Sequence, residues 1–295
     1  MKSIFRYIAA AILFAAAPVA WSAPVRVVAS IPDLGSIASY VGGDRVEVTS
    51  IARATSDPHS VEVLPSYMVQ TSRAKLFLKV GLELDRWADY IIDGSRNASL
   101  KVVDCSEGIT VLEVPQGKVD ASLGDVHPSG NPHYWLNPRN GVIIARTIAD
   151  ALVEVDPEGE AGYRSRLAQF EGEVNDRMEA WRTQSAKLIT SPIITYHSSW
   201  TYFADAFGFE IAAKVEPLPG IPPAASHLHM LTETIRSRGV KIVLQEPYFS
   251  DDAARYLERE TGVKVIKVAP SCADVSNDSY LGHFQQILDA VAKGY

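Results

Sequence analysis

Residues 157–188, "PEGEAGYRSRLAQFEGEVNDRMEAWRTQSAKL", decide how the rest of the chain is read. Tyr163, Leu167, Phe170, Val174, Met178 and Trp181 recur in steps of three and four. That spacing puts one apolar stripe on a helix of about nine turns, at ~3.6 residues per turn. Asp156-Pro157 marks its start, and Gly172 is the weak position inside it.

On both sides of this helix, strands alternate with helices. Upstream, "VRVVAS" (25–30), "RVEVTSIA" (45–52), "KLFLKVG" (75–81) and "KVVDCS" (101–106) read as strands. The helices between them are "IPDLGSIASYVGG", "PSYMVQTSRA" and "ELDRWADYIIDGS", with a further helix at 138–155. The stretch 115–132 is polar and rich in turn formers, hence a loop. Downstream, the strands "PIITYH", "FEIAAKV", "KIVLQEP" and "VKVIKVA" alternate with "WTYFADAFG", "ASHLHMLTETIRSRG" and "SDDAARYLERETG", and "SYLGHFQQILDAVAKG" is a last helix. The expected fold is α/β: two lobes with mainly parallel sheets, at 23–156 and 189–295, joined by the backbone helix 157–188. No sequence repeat relates the lobes.

A composition of 47% apolar and 21% charged residues is that of an ordinary globular protein. The formal charge of −7 argues against a nucleic-acid partner. "MKSIFRYIAAAILFAAAPVAWSA" combines Lys2 and Arg6 with an apolar run from Tyr7 to Ala17 and then small residues. It reads as a secretory signal peptide, 1–22, cut after Ser22, and the run is too short to span a bilayer with margin. No Cys stands near the cut, so no lipid anchor is expected there, and the product is expected to be soluble and periplasmic. In that compartment disulfides persist, so Cys105 and Cys272 are open to three readings: free thiols, a bridge, or ligation by Cys272.

Three histidines stand in comparable settings. His59 lies in "SDPHSVEVLPS" (56–66), after a strand and between prolines that stiffen the chain. His133 lies in "GNPHYWLNP" (130–138), again between prolines, and His197 ends "PIITYH". In open α/β sheets the ligand crevice lies beyond the carboxyl ends of strands, and His59 and His197 occupy such ends, one per lobe. Three imidazoles converging across the cleft would suit Zn(II). Taken singly, each His reads equally as a surface or capping group, because the long spacings carry no motif of their own.

Several stretches together resemble the zinc- and manganese-specific solute-binding proteins of ABC importers, in order and along the whole mature chain. They are "DPHSVEVLPS", "VGLELDRWADYII", "VVDCSEGI", "NPHYWLNP", "DPEGEAGYRSRL", "TYHSSWTYFADAFGF" and "LQEPYF". The resemblance implies two lobes on a rigid helix with the metal between them, and His59, His133 and His197 as ligands. Manganese-type members tend to have a carboxylate at the third position, so His197 favours zinc, because imidazoles suit zinc and oxygen donors suit harder ions. The family often has an Asp after the last strand. Here "VKVIKVAPSCADVSNDSY" puts Ala269 or Pro270 at that place. Asp274, the nearest carboxylate, is taken as the fourth ligand, with Cys272, Glu246 and water as the other donors. Glu62 and Glu246 are the candidate carboxylates behind the rings, since metal-bound His usually donates its other nitrogen.

The family's long His- and acid-rich insertion before His133 is reduced here to Asp120, Asp125 and His127, and His127 reads as a free loop residue. His227, His229 and His283 read as surface or capping residues. The function implied is a monomeric zinc receptor that loads a membrane permease and is not an enzyme. A manganese or iron receptor of the same fold is the main alternative, followed by a surface adhesin and a zinc-dependent hydrolase. The hydrolase lacks a Gly-x-Ser-x-Gly or His-Glu-x-x-His signature.

Overall fold

A computed structural model describes residues 23–120 and 123–295; the expected signal peptide lies outside them. The first lobe carries β1 (Val25–Ala29), α1 (Pro32–Gly42), β2 (Val46–Ser50), α2 (Pro65–Thr71), β3 (Leu76–Lys79), α3 (Trp87–Ser95) and β4 (Lys101–Asp104). After a long loop come α4 (Pro138–Val155) and α5 (Glu160–Leu188). The second lobe carries β5 (Ile193–Thr195), α6 (Thr201–Phe207), β6 (Ile211–Lys214), α7 (Ala225–Arg238), β7 (Ile242–Gln245), α8 (Asp252–Thr261), β8 (Lys264–Lys267) and α9 (Ser279–Ala292). Among the described residues no helix is long and apolar enough to cross a membrane.

Each lobe holds one four-stranded sheet, in the orders β2-β1-β3-β4 and β6-β5-β7-β8. All pairs are parallel. The central strands β3 and β7 are apolar up to their last residues, Lys79 and Gln245, as parallel strands covered on both faces tend to be: Leu76, Phe77 and Leu78, and Ile242, Val243 and Leu244, are fully buried. The lobes therefore repeat one topology that their sequences do not repeat. In each, the strand order reverses beside the first strand, and a ligand crevice forms at such a switch point.

The helix at 157–188 begins as a short 3-10 turn at Pro157–Gly159 and becomes α-helical at Glu160. Its buried face is the expected stripe, extended by Ser185. Arg45 grips Asp156 through two contacts of 2.7 Å, and the Tyr163 hydroxyl donates to the same carboxylate, which fixes the corner between α4 and α5. α9 packs on α5 and on α1, so the last helix of the chain returns to the first lobe.

One boundary differs. The helix expected from Glu83 starts only at Trp87, because Leu82 and Glu83 take left-handed conformations (φ 49° and 62°). The buried Asp85 carboxylate accepts from the backbone N–H of Val80 at 2.6 Å and Gly81 at 3.1 Å, and so holds the chain in a turn there.

Candidate metal centre

Two of the three histidines are held by the same local device. In Asp57-Pro58-His59, Asp57 Oδ1 accepts the backbone N–H of His59 at 2.9 Å and pairs with its Nδ1 at 2.8 Å. In Asn131-Pro132-His133, Asn131 Oδ1 does the same at 3.0 and 2.9 Å. The Asn131 amide is oriented by its other end, since Nδ2 donates to Glu113 Oε2 at 2.7 Å and to Ser198 O at 2.8 Å. Trp87 Nε1 donates to Pro58 O at 2.9 Å and pins the first loop to α3.

His197 is held differently. It follows β5, and its Nδ1 meets Glu216 Oε2 at 2.6 Å, a partner 19 residues away that arrives after β6. With Nδ1 donating, each ring is fixed in the tautomer whose Nε2 is a bare donor toward a metal. The Nε2 atoms of His59 and His133 are buried and have no hydrogen-bond partner.

The three rings face one another with centroids 5.1 Å (His59–His133), 5.3 Å (His59–His197) and 5.3 Å (His133–His197) apart. One ligand atom from each lies within 4.8 Å of the others. A tetrahedral zinc with bonds of about 2.0–2.1 Å would hold such nitrogens about 3.4 Å apart, a small contraction from this arrangement. Burial, and then the charges of His59 and His197, push His133 well below the ordinary imidazole range, so it is neutral and ready to ligate. Burial would raise Asp57, but its hydrogen bonds and attraction to His59 outweigh this and leave it below its ordinary value, as a carboxylate.

The lobes meet tightly around this cluster. Tyr202 OH donates to Asn131 O at 2.8 Å and accepts from Leu112 N–H at 2.9 Å. Trp135 Nε1 donates to Pro270 O at 2.9 Å, and Tyr280 OH to Trp135 O at 2.7 Å. Lys214 crosses the cleft to Glu113 at 2.8 Å. A cleft of about 230 Å³ opens beside the histidines, lined in part by Glu113, Asp125, His127, Lys214 and Glu216.

Asp274 is not brought to the cluster. It is exposed, and its Oδ1 accepts from Ser276 N–H at 2.8 Å and Ser276 Oγ at 2.5 Å, closing a small turn. That turn is sewn to α1, where Asp33 Oδ1 accepts from Cys272 N–H at 3.1 Å and Ser36 Oγ donates to Ser276 O at 2.6 Å. Nor do the carboxylates expected behind the rings stand there. Glu62 is exposed, and Glu246 is fully buried with neither carboxyl oxygen hydrogen-bonded, which pushes it up to about 7 by desolvation. Asp57 and Glu216 occupy those roles instead.

Cys105 and Cys272 are both buried and unbridged, and burial pushes both thiols well up. Cys272 Sγ donates to Asp274 O at 3.3 Å. His229 is exposed, and His227 pairs with Lys214 O at 3.0 Å. His283, expected as a surface or capping residue, is buried with Nε2 3.1 Å from Ala269 O, and burial lowers it to about 4. The free-loop reading of His127 also changes: its ring stacks on His59 at 5.3 Å, and its Nε2 is buried without a partner. Burial and then the charge of His59 lower it to about 4.

Residues 27–294 match the family described as zinc-uptake complex component A, periplasmic. The chain belongs to this family. Its members are metal-binding solute receptors of ABC importers rather than enzymes, and the chain is a receptor of that kind, delivering a divalent metal to a membrane permease. It is 25% identical to the iron-binding protein YfeA of Yersinia pestis, over 92% of this chain and 86% of the relative. It is likewise 25% identical to the manganese ABC transporter substrate-binding lipoprotein PsaA of Streptococcus mitis, over 92% and 89%. The crystal structure of ZnuA superposes with a TM-score of 0.75 at 26% identity, covering 91% of this chain and 99% of that one. A zinc-bound ZnuA deletion mutant, residues 138–173 removed, gives 0.77 at 28%, covering 90% and 98%.

Proposed function

We propose that the metal is zinc, and that the chain works as a monomeric periplasmic receptor once 1–22 has been removed. One observation carries this reading: three imidazoles, with Nδ1 of each already engaged, turn toward a common point with donor atoms within 4.8 Å of one another. An all-nitrogen set suits zinc better than manganese, which prefers oxygen donors. Relatives that bind manganese and iron favour a second reading, a receptor for one of those ions. His59, His133 and His197 act as ligands, and Asp57, Asn131 and Glu216 orient their rings.

Binding proceeds with little movement of one lobe against the other. Asp57 and Asn131 fix two rings before metal arrives, and α5 with the returning α9 limits rotation of one lobe against the other. The decisive experiment is competition titration of the metal-stripped protein with zinc and with manganese against a chelating indicator. Zinc should be held far more tightly; tighter binding of manganese would replace zinc by that ion.

A further inference from the structure

Three imidazoles leave a tetrahedral zinc in want of one more donor, and the residue expected to supply it, Asp274, is committed to its own turn. A fourth imidazole stands next to the cluster. The His127 ring lies 5.3 Å from that of His59, the same spacing that separates the three ligand rings from one another. Imidazoles sharing one tetrahedral ion have centroids about 5 Å apart, given metal–nitrogen bonds of ~2.0–2.1 Å. The Nε2 of His127 is buried and unpartnered, in the same condition as Nε2 of His59 and His133. A buried polar atom without a partner is costly and calls for an explanation, and a metal bond supplies one.

The segment that carries His127 is clasped by the other lobe. Asp125 N–H donates to Pro219 O at 2.8 Å. The approach is close enough that a Cβ on Gly124 would stand 2.2 Å from Pro219 O, and one on Gly220 would stand 2.3 Å from the Asp125 carboxylate. The strap 216–221 is itself part of the site, since Glu216 Oε2 both meets His197 and accepts from Gly220 N–H at 3.2 Å. On the near side Ser129 Oγ donates to Glu83 Oε1 at 3.0 Å. A loop from one lobe and a strap from the other thus close over the histidines, with His127 on the inner side.

We propose that His127 is the fourth zinc ligand, delivered by the loop 123–131 as it closes against 216–221. The proposal rests on the zinc reading above. His127 lies outside the group of donors within 4.8 Å, and its ring meets that of His59 alone among the three, so joining them takes an inward shift of the loop, which should tighten when metal binds. A set of four imidazoles would further disfavour manganese, which binds nitrogen donors poorly.

The test uses the full mature chain with His127→Ala, His127→Gln, which keeps size and polarity, and Asp274→Ala. Two quantities are read: zinc affinity against a competing chelator, and the visible d–d spectrum of the cobalt(II)-loaded protein. Both His127 variants should weaken zinc by at least about tenfold, the lower limit seen when a residue behind a ligand is lost, and should shift the cobalt bands. Asp274→Ala should change neither. A wild type that binds zinc alongside His127 variants with unchanged affinity and spectrum overturns the proposal alone, as does a spectrum that moves with Asp274→Ala instead. A wild type that takes neither metal overturns the zinc reading and this proposal together.

Discussion

The loops holding His59 and His133 differ from the strand end holding His197 in where their support comes from. In the first two, the residue that orients the ring stands two positions upstream and the intervening proline fixes the backbone between them. The ligand and its support form one tripeptide unit. His197 depends on Glu216, which reaches it only because β6 lies beside β5 in the second sheet. The first lobe therefore offers preformed donors, whereas the second offers a donor whose aim depends on how well that lobe is folded.

Replacing ligands and supports separately should break this comparison most clearly. His133→Ala should lose more than about a hundredfold in zinc affinity, beyond the range expected for loss of an orienting residue, with the fold kept as judged by circular dichroism. Unchanged affinity would remove His133 from the site. Next in size, Glu216→Ala should weaken zinc by about 10–100-fold, because it frees the His197 ring and the Gly220 N–H but removes no imidazole. Asp57→Ala should do the same and also release the backbone N–H of His59, so its loop should exchange amide hydrogens faster while the loop of His133 does not. Equal exchange in both would show that the tripeptide unit is not what stiffens the loop.

The second lobe also contrasts two carboxyls, Glu216, which pairs with His197, and Glu246, for which burial outweighs the Ser199 and Trp200 side chains beside it. Burial raises Glu246 from 4.5 to about 7, so the folded state resists its ionisation. The stability this group permits is fully present below about pH 4.5 and is lost as pH rises through 7. Glu246→Gln cannot ionise, so its denaturation midpoint should exceed that of the wild type above pH 7, and the two should converge in acid. A constant offset at every pH would mean that Glu246 does not titrate in the folded protein. The smallest effect concerns the helix that carries both lobes. Gly172 is exposed, and a Cβ there would meet nothing within 4 Å. Gly172→Ala should raise stability by about 0.5–1 kcal/mol, measured by chemical denaturation, and leave zinc affinity unchanged.

The legible parts of the molecule share a cause. Short, largely apolar strands, and the stripe from Tyr163 to Trp181, follow from burial patterns local to each element, so their positions are readable within a few residues. The late start of α3 was not, because it depends on the Asp85 carboxylate turning back on Val80 and Gly81. At the site, the repeated Asx-Pro-His pattern is a sequence signal for Asp57 and Asn131, whereas Glu62, the nearest glutamate to His59 in the chain, is exposed. No local pattern announces Glu216. Asp274 stays away from the cluster for a related reason: nearness along the chain to the family's usual position says nothing about the turn made with Ser276.

The amino-acid sequence by itself determined the alternation of strands and helices and the long connecting helix, since each is written in short-range periodicity, and its resemblance to a known family singled out the three histidines as a set. Only the tertiary structure decided which groups stand behind and beside those rings. Glu216, His127 and the unbridged thiols are placed by strand neighbours and by loops of opposite lobes meeting. Such contacts join residues far apart in the chain, and their geometry exists only once both cores have packed.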